Sequence, residues 1–166
     1  MKDVVREIEV LDRKGQTTTT LPRAALDFRY RELAGLEPGS VIVAARLEVA
    51  ASERPKVAAE VDRLLAARHR TQPIDQPSCG SVFRNPPGDF AGRLIEAAGL
   101  KGSRAGAAEI STVHANFIVN HGDATATDVL CLIERARDLV AARTGIRLET
   151  EVKILGVAAS PKCERG

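Results

Sequence analysis

The chain has 166 residues, of which 44% are hydrophobic and 28% are charged, proportions that are ordinary for a folded globular domain and exclude wholesale disorder. Aromatic residues make up only 3%, so a core must be built mainly from Ala, Val, Leu and Ile. The 24 basic and 22 acidic residues are spread along the chain without a dense basic block. This distribution argues against nucleic acid as a partner.

The three cysteines, Cys79, Cys131 and Cys163, are odd in number and far apart. They suit neither a disulfide framework nor a C-x-x-C metal or redox site, and they indicate a reducing compartment. No basic region followed by a long apolar run occurs near Met1, and no apolar segment is long enough to span a bilayer. We therefore expect a cytoplasmic protein that is neither secreted by a standard signal nor embedded in a membrane.

The first third of the chain favours β structure. Apolar and charged residues alternate through residues 4–11, and a turn at residues 12–15 precedes the β-prone residues 17–20, which predicts a hairpin. Pro22 begins a short helical turn over residues 23–26. The Val- and Ile-rich residues 40–49 predict a third strand.

The remainder favours helices around a short sheet. Apolar residues at helical spacing predict helices over residues 52–69, from Asp89 as the cap through residue 98, and from a capping-box variant at Thr125 to Gly145. Two short strands are expected at Ile110 and at residues 117–119, on either side of residues 112–116. A final strand is expected over residues 147–155, with a frayed tail after residue 157. The predicted class is α+β, with a boundary near residues 50–55.

The segment Pro77–Gly88 cannot be a helix interior or a central strand, because three prolines remove backbone donors and glycines permit unusual conformations. Between Ser81 and Asn85 it presents a hydroxyl, a guanidinium and a carboxamide. Such a segment is either a binding loop or a surface connector rich in turn residues, and its composition alone does not separate the two.

Four features could carry chemistry if the fold brings them together: Arg31 beside Tyr30, the segment from Ser81 to Asn85, His114 with Asn116, and the acidic pair Glu149 and Glu151. Taken singly, each is more simply a surface or structural residue. Ser81 lacks the G-x-S-x-G frame of hydrolases, the histidines lack metal-ligand spacing, and the glycines form no phosphate-binding pattern.

Several ordered segments carry a family resemblance. They are Gln72-Pro73, PSCGSVFRNP at residues 77–86, AGRLIEAAGLKG at 91–102, HANFIVN at 114–120, Ala124-Thr125, and ETEVKILG at 149–156. In these segments the chain resembles the UDP-N-acetylenolpyruvoylglucosamine reductase (UDP-N-acetylmuramate dehydrogenase) family of flavoenzymes, in a match that extends over residues 4–156.

The resemblance implies an FAD- and NADPH-dependent reduction of UDP-N-acetylglucosamine enolpyruvate to UDP-N-acetylmuramate in bacterial peptidoglycan precursor synthesis. It implies Ser81 as proton donor, Arg31 as a cation that stabilises the enolate-like charge, and Glu151 as the active-site glutamate. The other matching positions imply substrate contacts, and they are Asn85, Gln72, Tyr30, Arg84 and His114. Gln72 stands where some relatives have a substrate-binding lysine.

Two departures from the family pattern affect these expectations. Thr150 replaces a proline that is usual between the two glutamates. The glycine- and asparagine-rich motifs that hold the FAD pyrophosphate lie upstream in the family and do not occur here, so residues 1–49 are expected to be the end of an FAD-binding domain and residues 52–156 a substrate-binding domain. The chain alone would then bind FAD poorly and could require a separate amino-terminal piece. The alternative is a non-catalytic module that binds a UDP-sugar or docks onto a partner.

Overall fold

The computed structural model describes residues 2–156 and Cys163. These residues form two compact units, Met1–Lys56 and Val57–Gly166, which are described separately below. The mixture of three helices with several antiparallel sheets confirms the predicted α+β class. No helix in this described part of the chain combines the length and apolar character needed to cross a membrane.

The first unit is built on a three-stranded antiparallel sheet. Its order is β2 (Thr18–Pro22), β1 (Val5–Leu11), β5 (Val41–Leu47), so the central strand is the one whose sequence alternates most regularly. The residues that β1 turns inward pack with Leu26, which lies just after a 3-10 turn (Arg23–Ala25). The predicted hairpin and third strand are confirmed.

A second, smaller hairpin in this unit joins β3 (Asp27–Arg29) to β4 (Glu32–Ala34). Arg29 is opposite Glu32, so Tyr30 and Arg31 form the two-residue connection. The sequence analysis did not predict these two strands, because three-residue strands carry too few residues for a periodic pattern.

The second unit begins along α1 (Arg54–Thr71), whose apolar side chains share one face as predicted. Its core lies elsewhere. A four-stranded antiparallel sheet has the order β6 (Ser78–Ser81), β9 (Phe117–Asn120), β8 (Ala108–Ile110), β7 (Arg104–Ala105). This sheet packs with α2 (Ala91–Ala97) and α3 (Ala126–Thr144) around a core that includes Phe83, Ile95 and Leu132.

The ends of the two core helices differ in how well the sequence predicted them. At α3 the side chain of Thr125 accepts from the main chain of Asp128, whose carboxylate accepts in return from Thr125, and Gly145 ends the helix in a left-handed conformation. This capping box is confirmed. At α2 the predicted cap is wrong: Phe90 is the N-cap residue, and the Asp89 carboxylate binds Arg93 and the main chain of Phe90 instead.

Two further expectations are wrong. Residues 147–155 do not form a strand, because only Thr150 makes a β-bridge, to Phe83. Cys131 and Cys163 form a disulfide that joins α3 to the carboxy-terminal tail, and Cys79 is the free thiol. The sequence analysis did not predict this disulfide, because the fold brings together two cysteines that are far apart in the chain. The rest of the predicted tail lies outside the described residues.

Candidate functional site

Ser81 lies at the end of β6, which is an edge strand and not the loop that the sequence predicted. The pairing of β6 with β9 is regular at Ser78 and Ser81 but shifts in register between them. Gly80 has a φ of 77°, in the left-handed region that glycine adopts without steric cost. A bulge of this kind redirects the following side chain, and edge strands beside active sites are common places for it. Ser81 is half-buried there.

The residue after Ser81 is held from both sides. The N–H of Val82 donates to the carbonyl of Asn116 at 2.9 Å, and the carbonyl of Val82 accepts from the N–H of Glu151 at 2.8 Å. Arg84 continues the second pairing, because its N–H donates to the carbonyl of Glu149 at 2.9 Å. The main chains that carry Ser81 and Glu151 are therefore joined through a single residue, Val82.

The side chain of Asn116 makes a further connection to the same segment. Its Oδ1 accepts from the N–H of Phe83 at 2.9 Å, and its Nδ2 donates to the carbonyl of Phe83 at 2.8 Å. Asn116 is 4% exposed. The sequence analysis named Asn116 beside His114 but did not place it in the site. The sequence does contain a signal for this role: a carboxamide within an apolar motif is expected to be buried, and a buried carboxamide needs hydrogen-bond partners.

Arg84 and Asn85 follow this segment in the chain. The Nε of Arg84 is buried with no hydrogen-bond partner among the described residues. The Oδ1 of Asn85 accepts from the N–H of Ala91 at 3.0 Å and so satisfies a donor at the start of α2. Asn85 thus has a structural contact in addition to the substrate contact that its position in the motif predicts.

His114 lies between α2 and β9. Its Nδ1 accepts from the N–H of Asn116 at 3.1 Å, which places the ring proton of the neutral form on Nε2, and its ring meets Phe117 edge-on at 5.0 Å. Burial lowers the pKa of His114. The imidazole is therefore neutral near neutral pH, and Nε2 is its N–H donor.

The remaining predicted residues lie elsewhere. Gln72 follows α1, and its Oε1 accepts from Arg68 at 3.1 Å. Tyr30 and Arg31 belong to the first unit, in the β3–β4 connection, where the Arg31 guanidinium lies 5.7 Å from the centre of the Tyr30 ring. Arg31 has a φ of 59°, the one positive φ of a non-glycine residue in the described chain. Backbone strain of this kind concentrates at functional positions.

Other chemistries find little support in the described residues. They contain no group of three or more His, Cys, Asp or Glu side chains that could hold a metal ion. Cys79 is exposed as a residue, but partial desolvation of its thiol raises the pKa above the usual value, which disfavours the reactive thiolate.

Comparison with known proteins adds a family to this geometry. The model for the UDP-N-acetylenolpyruvoylglucosamine reductase C-terminal domain matches residues 72–155. The reductase of that name from Alkalilimnicola ehrlichii is 52% identical over 158 residues, which are 94% of this chain and 52% of the relative. The one from Methylococcus capsulatus is 50% identical over 155 residues, 93% of this chain and 50% of the relative.

A solved structure agrees with these sequence matches. The crystal structure of UDP-N-acetylenolpyruvylglucosamine reductase (MurB) from Thermus caldophilus superposes with a TM-score of 0.77 at 36% identity, over 92% of this chain and 53% of that one. The chain thus spans about half the length of the relatives it matches. On the family model, the sequence identities and the shared fold, the chain belongs to the UDP-N-acetylenolpyruvoylglucosamine reductase family.

Proposed function

We propose that this chain provides the substrate-binding and protonating part of a cytoplasmic reductase that converts UDP-N-acetylglucosamine enolpyruvate to UDP-N-acetylmuramate. The observation that carries this proposal is the pairing around Val82, which fixes the main chains of Ser81 and Glu151 beside each other. In this proposal residues 1–49 complete an FAD-binding domain and residues 52–156 form the substrate-binding domain.

The starts of the two core helices, α2 and α3, do not fit an FAD pyrophosphate. A pyrophosphate is commonly bound by free N–H groups at a helix N-terminus. Here the start of α2 is bonded by Asn85, and that of α3 by the capping box of Thr125 and Asp128. We therefore assign no FAD-binding residue to this chain, and an amino-terminal FAD-binding piece is the partner that the proposal requires.

In this proposal the residues of this chain have two tasks, which are to stabilise the negative charge that develops on the substrate and to donate a proton. FAD held by the amino-terminal piece, with NADPH as the reductant, would supply the hydride chemistry at C3 of the enolpyruvyl group. Addition at C3 leaves negative charge shared between C2 and the adjacent carboxylate, which the Arg31 guanidinium would stabilise. Ser81 would then donate its hydroxyl proton to C2, and Glu151 would assist proton movement at Ser81.

In this proposal five further residues would contact the substrate. His114 would offer its Nε2–H as a neutral donor, and Arg84 its guanidinium, whose buried Nε has no partner among the described residues. Asn85, Gln72 and Tyr30 complete the set. The carboxamide of Gln72 would make a neutral contact where a charged one occurs in some relatives.

The test is oxidation of NADPH that depends on UDP-N-acetylglucosamine enolpyruvate, measured with FAD and the amino-terminal piece supplied. Ser81→Ala should lower kcat by about 100-fold or more, since positioned proton donors contribute on that order. Ser78→Ala, at an exposed position in the same strand, is the matched control and should leave kcat unchanged. Calorimetric binding of the UDP-sugar without turnover would instead identify a non-catalytic binding module.

A further inference from the structure

We propose that Asn116 is a positioning residue that holds Ser81 and Glu151 in their relative places for the proton transfer. The inference rests on the proposed function and deepens it. Asn116 has no contact with the substrate in this proposal. It acts through its hydrogen bonds to the main chain of Val82 and Phe83.

The hydrogen bonds around this segment converge on Asn116. Its main-chain carbonyl accepts from Val82, its Oδ1 accepts from Phe83, and its Nδ2 donates to Phe83. One residue thus binds two successive N–H groups and one carbonyl. The carboxamide pairs with Phe83 as a peptide group pairs with a neighbouring strand.

The opposite side of the segment carries the second proposed catalytic group. Glu151 donates its N–H to the carbonyl of Val82, and Thr150 makes its bridge to Phe83. Residues 149–151 belong to no strand of the sheet and pair with residues 82–84 through their main chains. Displacement of Phe83 would therefore move Ser81 on one side and Glu151 on the other.

Burial makes this contact hard to replace. Val82 and Phe83 are 1% and 2% exposed, so water cannot substitute for a missing partner. Aspartate at position 116 would keep the acceptor but lose the donor to the Phe83 carbonyl. Leucine would lose both while keeping the same branching and number of heavy atoms, although its two methyl groups are bulkier than the carboxamide. Misplacement of reacting groups by about 1 Å can reduce a rate about 100-fold.

The chain offers a matched control in Asn120, at the end of β9, the strand that begins directly after Asn116. Its Oδ1 accepts from the N–H groups of Gly122 at 2.8 Å and Ala124 at 3.1 Å, within the turn that leads to α3. Asn120→Leu removes the same chemical group four residues further along the chain but leaves the Val82–Phe83 segment untouched.

The deciding experiment is amide hydrogen exchange on the 166-residue chain, which needs neither cofactor nor turnover. In Asn116→Leu the amides of Phe83, Arg84 and Glu151 should exchange about tenfold faster or more, and in Asn116→Asp those of Arg84 and Glu151 should do so, while those of Leu132 and Val140 in α3 change little in both. In Asn120→Leu only Gly122 and Ala124 should change. Equal acceleration of the α3 amides, or no change at Glu151, would overturn the proposal.

A variant that does not fold is covered by a measurement on the unmodified chain. The hydrogen bond from Nδ2 of Asn116 to the Phe83 carbonyl should give a through-bond NMR coupling. If this coupling is absent and the side-chain protons exchange as fast as those of an exposed asparagine, the assignment is wrong. In the reductase assay, Asn116→Asp should lower kcat about tenfold or more, with KM for the UDP-sugar nearly unchanged. A wild-type chain that shows no turnover would refute the proposed function, while the exchange data would still decide whether Asn116 holds the Val82–Phe83 segment in place.

Discussion

The carboxylate of Glu109 lies 3.0 Å from Nε2 of His121 and also accepts from Nε of Arg104 at 2.6 Å. Glu109 is buried on β8, at 8% exposure. Burial alone would raise its pKa, but the hydrogen bonds and charges of Arg104 and His121 outweigh this and hold the pKa of Glu109 below 4.5. A carboxyl whose pKa is lowered by folding stabilises the fold above its unfolded pKa and loses that contribution as the pH falls through the folded one.

We therefore expect Glu109→Gln to lower the free energy of unfolding at neutral pH, with the difference from wild type shrinking as the pH falls below 4.5. Urea unfolding at a series of pH values checks this. Arg104→Gln is the companion variant. It removes the hydrogen bond and charge of Arg104 that lower the pKa of Glu109, so this pKa should rise. The loss of stability in acid should then be less steep than in wild type. A constant difference between Glu109→Gln and wild type at every pH would contradict the assignment.

Gly92 should respond to substitution according to what stands at position 114. A Cβ on Gly92 would lie 2.9 Å from Cε1 of His114, whose ring is fixed by the Asn116 N–H. Gly92→Ala should thus cost about 1–3 kcal/mol by overpacking. In a His114→Ala background the same change should stabilise the helix by about 0.5–1 kcal/mol. A double-mutant cycle by urea unfolding measures this reversal of sign, and an equal effect in both backgrounds would exclude the contact.

Arg31 should trade stability for activity. Its φ of 59° is a conformation that asparagine tolerates and that costs long side chains about 1–2 kcal/mol. Arg31→Asn and Arg31→Gln both remove the guanidinium and its charge and leave a carboxamide, so their difference reports mainly the backbone cost. We expect Arg31→Asn to be more stable than Arg31→Gln by about 0.5–1 kcal/mol in urea unfolding. Both variants should lose the proposed reduction, and equal stabilities would show that the backbone is unstrained.

The disulfide between Cys131 and Cys163, 32 residues apart, should stabilise the second unit. Closing a loop of this size contributes about 3–4 kcal/mol, so Cys163→Ser should lower the free energy of unfolding by up to that amount. Reductant should destabilise wild type and Cys79→Ser equally but leave Cys163→Ser unchanged. Alkylation before reduction should label Cys79 alone. A reductant effect in Cys163→Ser would point to some other bond.

Local signals predicted the parts of this fold whose causes are local. The helix α3 could be found because Thr125, Asp128 and Gly145 mark its two ends within the sequence itself. The start of α2 could not be assigned correctly, because Asp89 turns to Arg93 and the first donor of the helix is bonded by Asn85, six residues earlier. Sequence position alone does not decide between such competing partners.

In the candidate site, too, the sequence predicted features that have local causes and missed those that depend on contacts between distant segments. The residue motifs predicted Ser81, Glu151 and their neighbours as site residues. The β-like pattern of residues 147–155 predicted a strand where the structure has a short pairing with Val82, Phe83 and Arg84. That pairing joins segments far apart in the chain, and no periodicity within either segment shows it. The side-chain contacts of Asn116 were missed for the same reason.

The double pairing of Val82 and Phe83 also governs how proteases treat this region. Trypsin recognises Arg84 and chymotrypsin recognises Phe83, within a proline- and glycine-rich segment that resembles a cleavable linker in composition. A protease must bind its target as an unpaired extended strand, yet the N–H groups of residues 82–84 are already bonded within the fold. Digestion of the native chain should therefore begin at exposed turns such as that of Lys14, and the Phe83 and Arg84 sites should be cut only after the second unit opens.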